Sequence, residues 1–424
     1  MSLSVTGGKA PENAVSQKTC HLVKHDEAFG GNGAHGIGTE VDFTLSFIPN
    51  SFAFFNGSLH HLAKLLIKKN NLMKKILVLF CGVAALFISC EKEKNDSTPA
   101  PDNLNGIFVI NEGAFLSGNA DISFFSSDSA YSNTKLFESV NGVPLGDVAQ
   151  SMTIYDNHAY IAVNGSGKVE VVSMNDFKRT GTITNIGGPR YFLGKGNSGY
   201  ISDWASNQLK VYELTSLTLI DSIPCGAGPE EMVLVNNKIF VCNGGGYGND
   251  STITVINASN NDVIATIACP VNPSSIRVDK NNKIWVLCRG DIGPDYTPTP
   301  DDAGGALLQI DPSTYAILKT FNMNYDRHPI QLKMNNAKDK IYFLNGSSNF
   351  SGSVYTMNIT DATLPLAAIV DDNFYGLGIH PVSGDIYTGL LNFSTNSWMI
   401  HYNQSGAVLD SSGVGIGPNG FVFN

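Results

Sequence analysis

The side chains of this sequence that are equipped for chemistry are scattered. Downstream of Cys90 the histidines are His158, His328, His380 and His401, and no two of them carry the paired spacing of a zinc ligand set. No G-x-S-x-G, H-E-x-x-H or phosphate-loop pattern occurs in 90–424. Gly415-Ile416-Gly417-Pro418-Asn419-Gly420 spells a dinucleotide fingerprint, but an apolar strand follows it where a phosphate would need a helix N-terminus. Asp291, Asp295, Asp301 and Asp302 are hard oxygen donors of the kind Ca²⁺ takes, yet Pro294, Pro298 and Pro300 make the same segment read as a stiff, exposed loop. Glu230 with Arg190 or Arg327 supplies the acid–base combination that lactone or ester hydrolysis would draw on. No metal and no organic cofactor is expected.

Recognition suits the sequence better than reaction. Phe115, Arg190, Tyr191, Trp204, Glu230, Tyr247, Arg289, Tyr296, Tyr325, Arg327, Phe350, Phe374, Tyr375 and Phe393 fall in loops and connections that share one face of the architecture derived below. Aromatic rings supply stiff apolar area, and their Arg and Asn neighbours supply polar handles. That combination fits a flat organic ligand, a glycan or a protein surface.

Those residues are carried by a repeat of about 44 residues whose six copies begin near Gln150, Pro189, Pro229, Pro273, Pro329 and Asn373. Each copy holds four short apolar strands joined by polar turns. The second strands align as Ala159–Val163, Gly199–Ser202, Lys238–Cys242, Lys283–Val286, Lys340–Phe343 and Asp385–Thr388. Four strands per unit describe a propeller blade that buries its faces against its neighbours. Gly106 to Val140 supplies three strands of a further blade, and Gly420 to Phe423 supplies one. Joining the two ends completes the blade and removes an open edge, which predicts an all-β, seven-bladed β-propeller over 104–424. A solenoid would need atypical capping ends, which complementary half-blades are not.

In such a ring the second-to-third-strand loops and the blade connections share one face. The opposite-face turns are short and polar: Asp156-Asn157, Asn175-Asp176, Asn236-Asn237, Asn281-Asn282, Ser383-Gly384 and Ser405-Gly406. The expansions, 113–119, 243–251, 289–305, 345–352 and 391–397, collect on the other face, which is the expected binding surface. Cys225 and Cys269 are repeat-equivalent and a whole blade apart. Cys242 and Cys288 differ by one register step and so lie on opposite strand faces. Buried, reduced thiols are expected, although a secreted setting would permit a disulfide.

The N-terminal region reads as address rather than structure. Met73-Lys74-Lys75 opens a basic segment, Ile76 to Ile88 is a 13-residue apolar run, and Ser89-Cys90 closes it. A spanning helix needs about 20 apolar residues, so 73–89 reads as a lipoprotein signal peptide with Cys90 as the lipidated residue. Residues 1–72 read as an upstream extension with Met73 as the true start, and 90–103 as a solvated tether. The whole chain carries a net charge of -10, and leaving out the 8 basic and 5 acidic residues before Cys90 makes the remainder -13. So acidic a body repels phosphate backbones, and nucleic acid is excluded as a partner.

Thr254-Val255-Ile256-Asn257 and Leu308-Gln309-Ile310-Asp311, in blades led by proline, resemble the third strands of YVTN/YncE-like propellers. Asn105–Gly113, Gly146–Met152 and Pro189–Leu193 are similar to Bacteroidetes surface lipoprotein propellers, as is the charged run Glu91–Asp96 behind Cys90. This resemblance, over about 104–424, implies a lipid-anchored outer-membrane surface protein. Some members of that group capture cobalamin and pass it to a TonB-dependent transporter, so it implies a corrinoid as one possible ligand. A protein-interaction scaffold and a lactonase-like hydrolase are the alternatives.

Overall fold

The structure, a computed structural model, describes residues 104–293, 297–348 and 350–424. Cys90, the apolar run ahead of it, the tether and Tyr296 lie outside the described residues. Among the described residues no helix is long and apolar enough to cross a membrane.

The described residues begin inside a blade, with β1 (Gly106–Asn111), β2 (Asp121–Ser126), β3 (Ser132–Asn133) and a short helix, α1 (Leu136–Asn141). Blade 1 follows as β4 (Ala149–Tyr155), β5 (His158–Val163), β6 (Lys168–Ser173) and β7 (Arg179–Ile183). Blade 2 is β8 (Pro189–Lys195), β9 (Ser198–Asp203), β10 (Gln208–Glu213) and β11 (Thr218–Pro224). Blade 3 comprises β12 (Pro229–Val235), β13 (Lys238–Asn243), β14 (Thr252–Asn257) and β15 (Val263–Ala268). Blade 4 comprises β16 (Pro273–Val278), β17 (Ile284–Cys288), β18 (Ala306–Ile310) and β19 (Ile317–Asn322).

Blades 5 and 6 share a strand. β20 (Ile330–Met334), β21 (Lys340–Ser348) and β22 (Ser351–Asn358) are completed by the first part of β23 (Val370–Ile379), where Val354 pairs with Val370. The second part of β23 turns inward to pair with β24 (Ile386–Leu390), which continues into β25 (Ser397–Tyr402) and β26 (Val408–Val414). The repeat boundary expected near Asn373 therefore falls inside a continuous strand.

Blade 7 closes the ring. β27 (Pro418–Phe423) pairs antiparallel with β1 from Ile107–Phe423 to Asn111–Pro418, and β1 pairs in turn with β2. The two chain ends thus complete one blade, as their partial patterns predict, and the edge that β1 would expose is occupied. One departure occurs in this blade: its fourth strand shrinks to two residues and α1 covers the space. The Asp121 carboxylate accepts the backbone N–H of Phe137 (2.9 Å) and of Glu138 (3.2 Å), capping α1 from a different element. The helix's own Leu136 and Phe137 are buried in the core.

Seven apolar clusters hold the described blades together, one at each blade interface. Period-2 alternation gives every inner strand two apolar faces, one for each neighbour. Opposite faces of consecutive blades therefore meet. Cys242 and Cys288, read from register as lying on opposite strand faces, share the interface of blades 3 and 4 with half-buried Cys269 beside them. All four described cysteines are free thiols. The lower-face hairpins turn tightly: Asp156-Asn157 and Asn236-Asn237 hold positive φ at both positions, the geometry of a two-residue hairpin that follows strand twist.

Candidate functional site at the upper channel mouth

The innermost strands β4, β8, β12, β16, β20, β23 and β27 each begin at the face that carries the long loops. Each pairs irregularly with its second strand near that end, as between Pro189 and Phe192, Pro229 and Met232, and Ile330 and Lys333. An extra residue there redirects the side chain that follows the leading proline. Register places Gln150, Arg190, Glu230, Ser274, Tyr375 and Asn419 on one rung around the mouth, while in blade 5 the irregular step follows Ile330 and Gln331 Nε2 donates to Asn419 O at 2.8 Å. The residues just past the second strands, among them Trp204, Gly244, Arg289 and Glu112, form a second rung outside it.

Side chains of the two rungs bind one another. Arg190 Nε donates to Glu230 Oε2 at 3.2 Å and Arg190 Nη2 to Glu230 Oε1 at 3.1 Å, while Nη1 donates to Gln150 Oε1. The guanidinium lies 3.9 Å over the Trp204 ring, and Tyr247 packs edge-on against that indole at 5.7 Å. Across the mouth, Tyr375 donates to Glu112 Oε2, and Asn419 Nδ2 donates to the same oxygen at 3.3 Å and to Ala149 O at 3.0 Å. Phe393 meets Tyr375 edge-on at 5.1 Å. Arg289 Nη2 donates to Gly244 O at 3.1 Å, and His328 Nδ1 lies 3.1 Å from Arg289 O. A carbonyl only accepts, so in the neutral ring the His328 proton sits on Nδ1 and Nε2 carries the lone pair.

Burial shapes the electrostatics of the site. It pushes the Glu112 carboxyl above the usual carboxylate range, against the pull of the Tyr375 hydrogen bond and the Arg190 charge. The Tyr375 phenol is raised by burial and then by Glu112. Burial lowers Arg289, with Glu230 opposing it. Arg190 is opposed by burial as well, but Glu230 carries it above its ordinary value.

Of the residues expected from the sequence, Arg190, Tyr191, Trp204, Glu230, Tyr247, Arg289, Tyr375 and Phe393 converge on this mouth. Tyr191 contributes its hydroxyl, which accepts from Gln150 Nε2 at 3.3 Å. Phe115, Tyr325 and Phe350 are exposed on the surrounding loops. Arg327 pairs loosely with Asp326 at 3.9 Å and not with Glu230. Phe374 requires correction: it is fully buried between blades 5 and 6, where β23 crosses from one blade into the next, and packs edge-on against Tyr402. Glu112, Gln150, His328 and Asn419 lie outside the set of residues expected to bind. Gln150 and Asn419 occupy the same repeat position as Arg190 and Glu230, a signal that aligning the blades on Ala149, Pro189, Pro229 and Pro418 contains. Of the long acidic loop, Asp291 accepts from Asn249 at 2.6 Å and Asp302 from Thr299 N at 2.6 Å. Among the described residues no cluster has the arrangement of a metal site.

The fold and this mouth define the chain as a β-propeller with a polar, aromatic-edged central channel. Solved structures of similar fold include a putative 6-phosphogluconolactonase from Bacteroides uniformis (10% identity, TM-score 0.55, covering 76% of this chain and 100% of that one). The periplasmic gluconolactonase of Pseudomonas aeruginosa is also similar (10% identity, TM-score 0.55, 75% and 99% covered), as is a Lactobacillus plantarum protein (12%, 0.54, 76% and 99%). At such identities the likeness is one of fold. The chain belongs to the DUF5074 family, a domain of unknown function, whose pattern matches residues 105–409. No curated protein matches it.

Proposed function

We propose that this protein binds a polar, partly planar organic ligand at the upper channel mouth and is held at an outer-membrane surface by a lipid on Cys90. One observation carries the reading. Arg289 Nε, Trp204 Nε1, His328 Nε2 and Asn419 Oδ1 are buried at or beside the mouth with no hydrogen-bond partner among the described residues. An unmet buried polar atom costs about 1–3 kcal/mol, so native proteins tolerate few of them. Here two N–H donors and two acceptors stand at the mouth, and the Oδ1 atoms of Asn111, Asn243 and Asn345, near the upper ends of second strands, are unmet as well. A ligand offering both acceptors and donors, with flat area to lie near Trp204, Tyr247 and Phe393, completes those at the mouth.

A corrinoid fits that description, with a TonB-dependent transporter as the receiving partner, and so does a glycan. Titrating the purified protein calorimetrically with cobinamide, haem and an oligosaccharide panel tests it. Saturable binding that weakens in Trp204→Ala and Arg289→Met is expected. Absence of heat across the panel, or binding indifferent to both changes, removes the proposal.

Lactone hydrolysis is the second reading, favoured by the fold shared with the gluconolactonases and by Glu230 and Arg190 standing at the channel mouth. Against it, both Glu230 oxygens are engaged by Arg190. Turnover of gluconolactone that disappears in Glu230→Gln would promote this reading over the first.

A further inference from the structure

The channel has a second mouth on the face of short turns, and nothing in the reading of the upper mouth explains it. A cavity of about 760 Å³ opens there, the size of a small-molecule site. Leu234, Ile379, Phe421 and Phe423 line it together with Arg277 and Lys333. The two cations are register-equivalent: Arg277 pairs with Trp285 and Lys333 with Tyr342, the same position of adjacent second strands. Their counterparts in the other blades are Thr153, Leu193, Val233, Gly378 and Val422, none of them acidic.

One carboxylate lies within electrostatic reach of both cations but binds only one of them. Glu231, on the innermost strand of blade 3, accepts from Arg277 Nη1 at 2.5 Å and Nη2 at 3.1 Å, and from Ile276 N at 3.1 Å. Arg277 takes the whole of that carboxylate, and among the described residues the Lys333 ammonium has no ion pair and no hydrogen bond. A half-buried ammonium on an apolar wall, beside a second cation, is costly unless an anion joins it. Burial first, and Arg277 next, pull its pKa down to about 8, so at pH 7 it still carries its charge.

We infer that the lower mouth binds a small organic monoanion, a carboxylate with an apolar body. The carboxylate sits against Lys333 beside Arg277, and the body lies on Phe421, Phe423, Ile379 and Leu234. A single unneutralised cation matches one negative charge, and the apolar walls favour a molecule with a hydrocarbon body over a bare inorganic ion. The overall acidity of the chain turns away more highly charged anions. This site is independent of the upper mouth.

Calorimetric titration of the purified protein with octanoate, 3-phenylpropanoate, octan-1-ol and inorganic phosphate tests the inference. Both carboxylates are expected to saturate, with the alcohol and phosphate weaker by about tenfold or more. Lys333→Met loses about tenfold for the carboxylates, Lys333→Arg keeps them, and Trp204→Ala at the other mouth leaves them unchanged. Melting curves on each variant separate loss of the site from loss of the fold. Should Lys333→Met not fold, the preference of the unaltered protein for carboxylate over alcohol decides alone. Equal binding of octanoate and octanol, unchanged affinity in a folded Lys333→Met, or no saturable carboxylate binding overturns the inference.

Discussion

Replacing Glu230 by glutamine isolates the ion pair at the centre of the upper mouth. Glu230 is almost fully buried, and Arg190 binds both of its oxygens. Removing one partner of a buried pair costs about 3–5 kcal/mol, because the remaining charge stays desolvated. Glutamine keeps the volume and one acceptor, while Arg190 retains Gln150 and the Trp204 face, a cation–π contact contributing roughly 0.5–2 kcal/mol. The expected loss therefore sits at or below the lower end of that range, about 2–3 kcal/mol. With an unfolding entropy of about 2.1 cal/mol/K per residue over 104–424, each kcal/mol is worth roughly 1.5 °C, so the melting temperature falls by about 3–5 °C. Urea unfolding followed by tryptophan fluorescence, with calorimetry alongside, measures it. The double variant Arg190→Met/Glu230→Met removes both charges and should fall within about 1.5 kcal/mol of the parent. A loss below about 0.5 kcal/mol in Glu230→Gln, or a double variant less stable than the single one, refutes the claim that this pair is desolvated and mutually dependent.

Deleting 418–424 removes β27 and leaves β1 without its inner neighbour; loss of the cooperative melting transition, with aggregation, is expected and is read by light scattering. Lys333, with a folded pKa of about 8 below an unfolded value near ~10.4, gives up its proton more readily when folded. Stability should therefore rise between about pH 8 and ~10.4, and Lys333→Met should flatten that rise in denaturant titrations at several pH values. Cys242 and Cys288 are buried, and desolvation pushes both thiols well above their usual range. Alkylation of the native protein read by peptide mass spectrometry should leave both unmodified until denaturant is added; rapid modification of either contradicts the interface packing.

How much of this was legible in the chain differs from one feature to the next. The blade repeat was readable because each strand pair is local: alternating apolar residues, a two-residue turn such as Asn236-Asn237, and the next strand all lie within a few positions. The expansion at 244–251 and the described residues of 289–305 are likewise loops of the upper face. At 345–352 the extra residues instead lengthen β21 and β22. Phe374 looked like a surface aromatic because the merging of two blades in β23 is invisible along the chain.

By itself the sequence determined that short amphipathic strands recur, that its two ends complement each other and that its long loops fall on one side, since these follow from period, turn chemistry and length. Only the closed ring decided which side chains meet. Arg190 reaches Glu230 forty residues on, Tyr375 reaches Glu112 across the closure, and Lys333 shares its rung with Arg277 while Glu231 serves Arg277 alone. Those encounters depend on the irregular step after each leading residue and on the seven innermost strands being brought around one axis, a long-range geometry that no local pattern encodes.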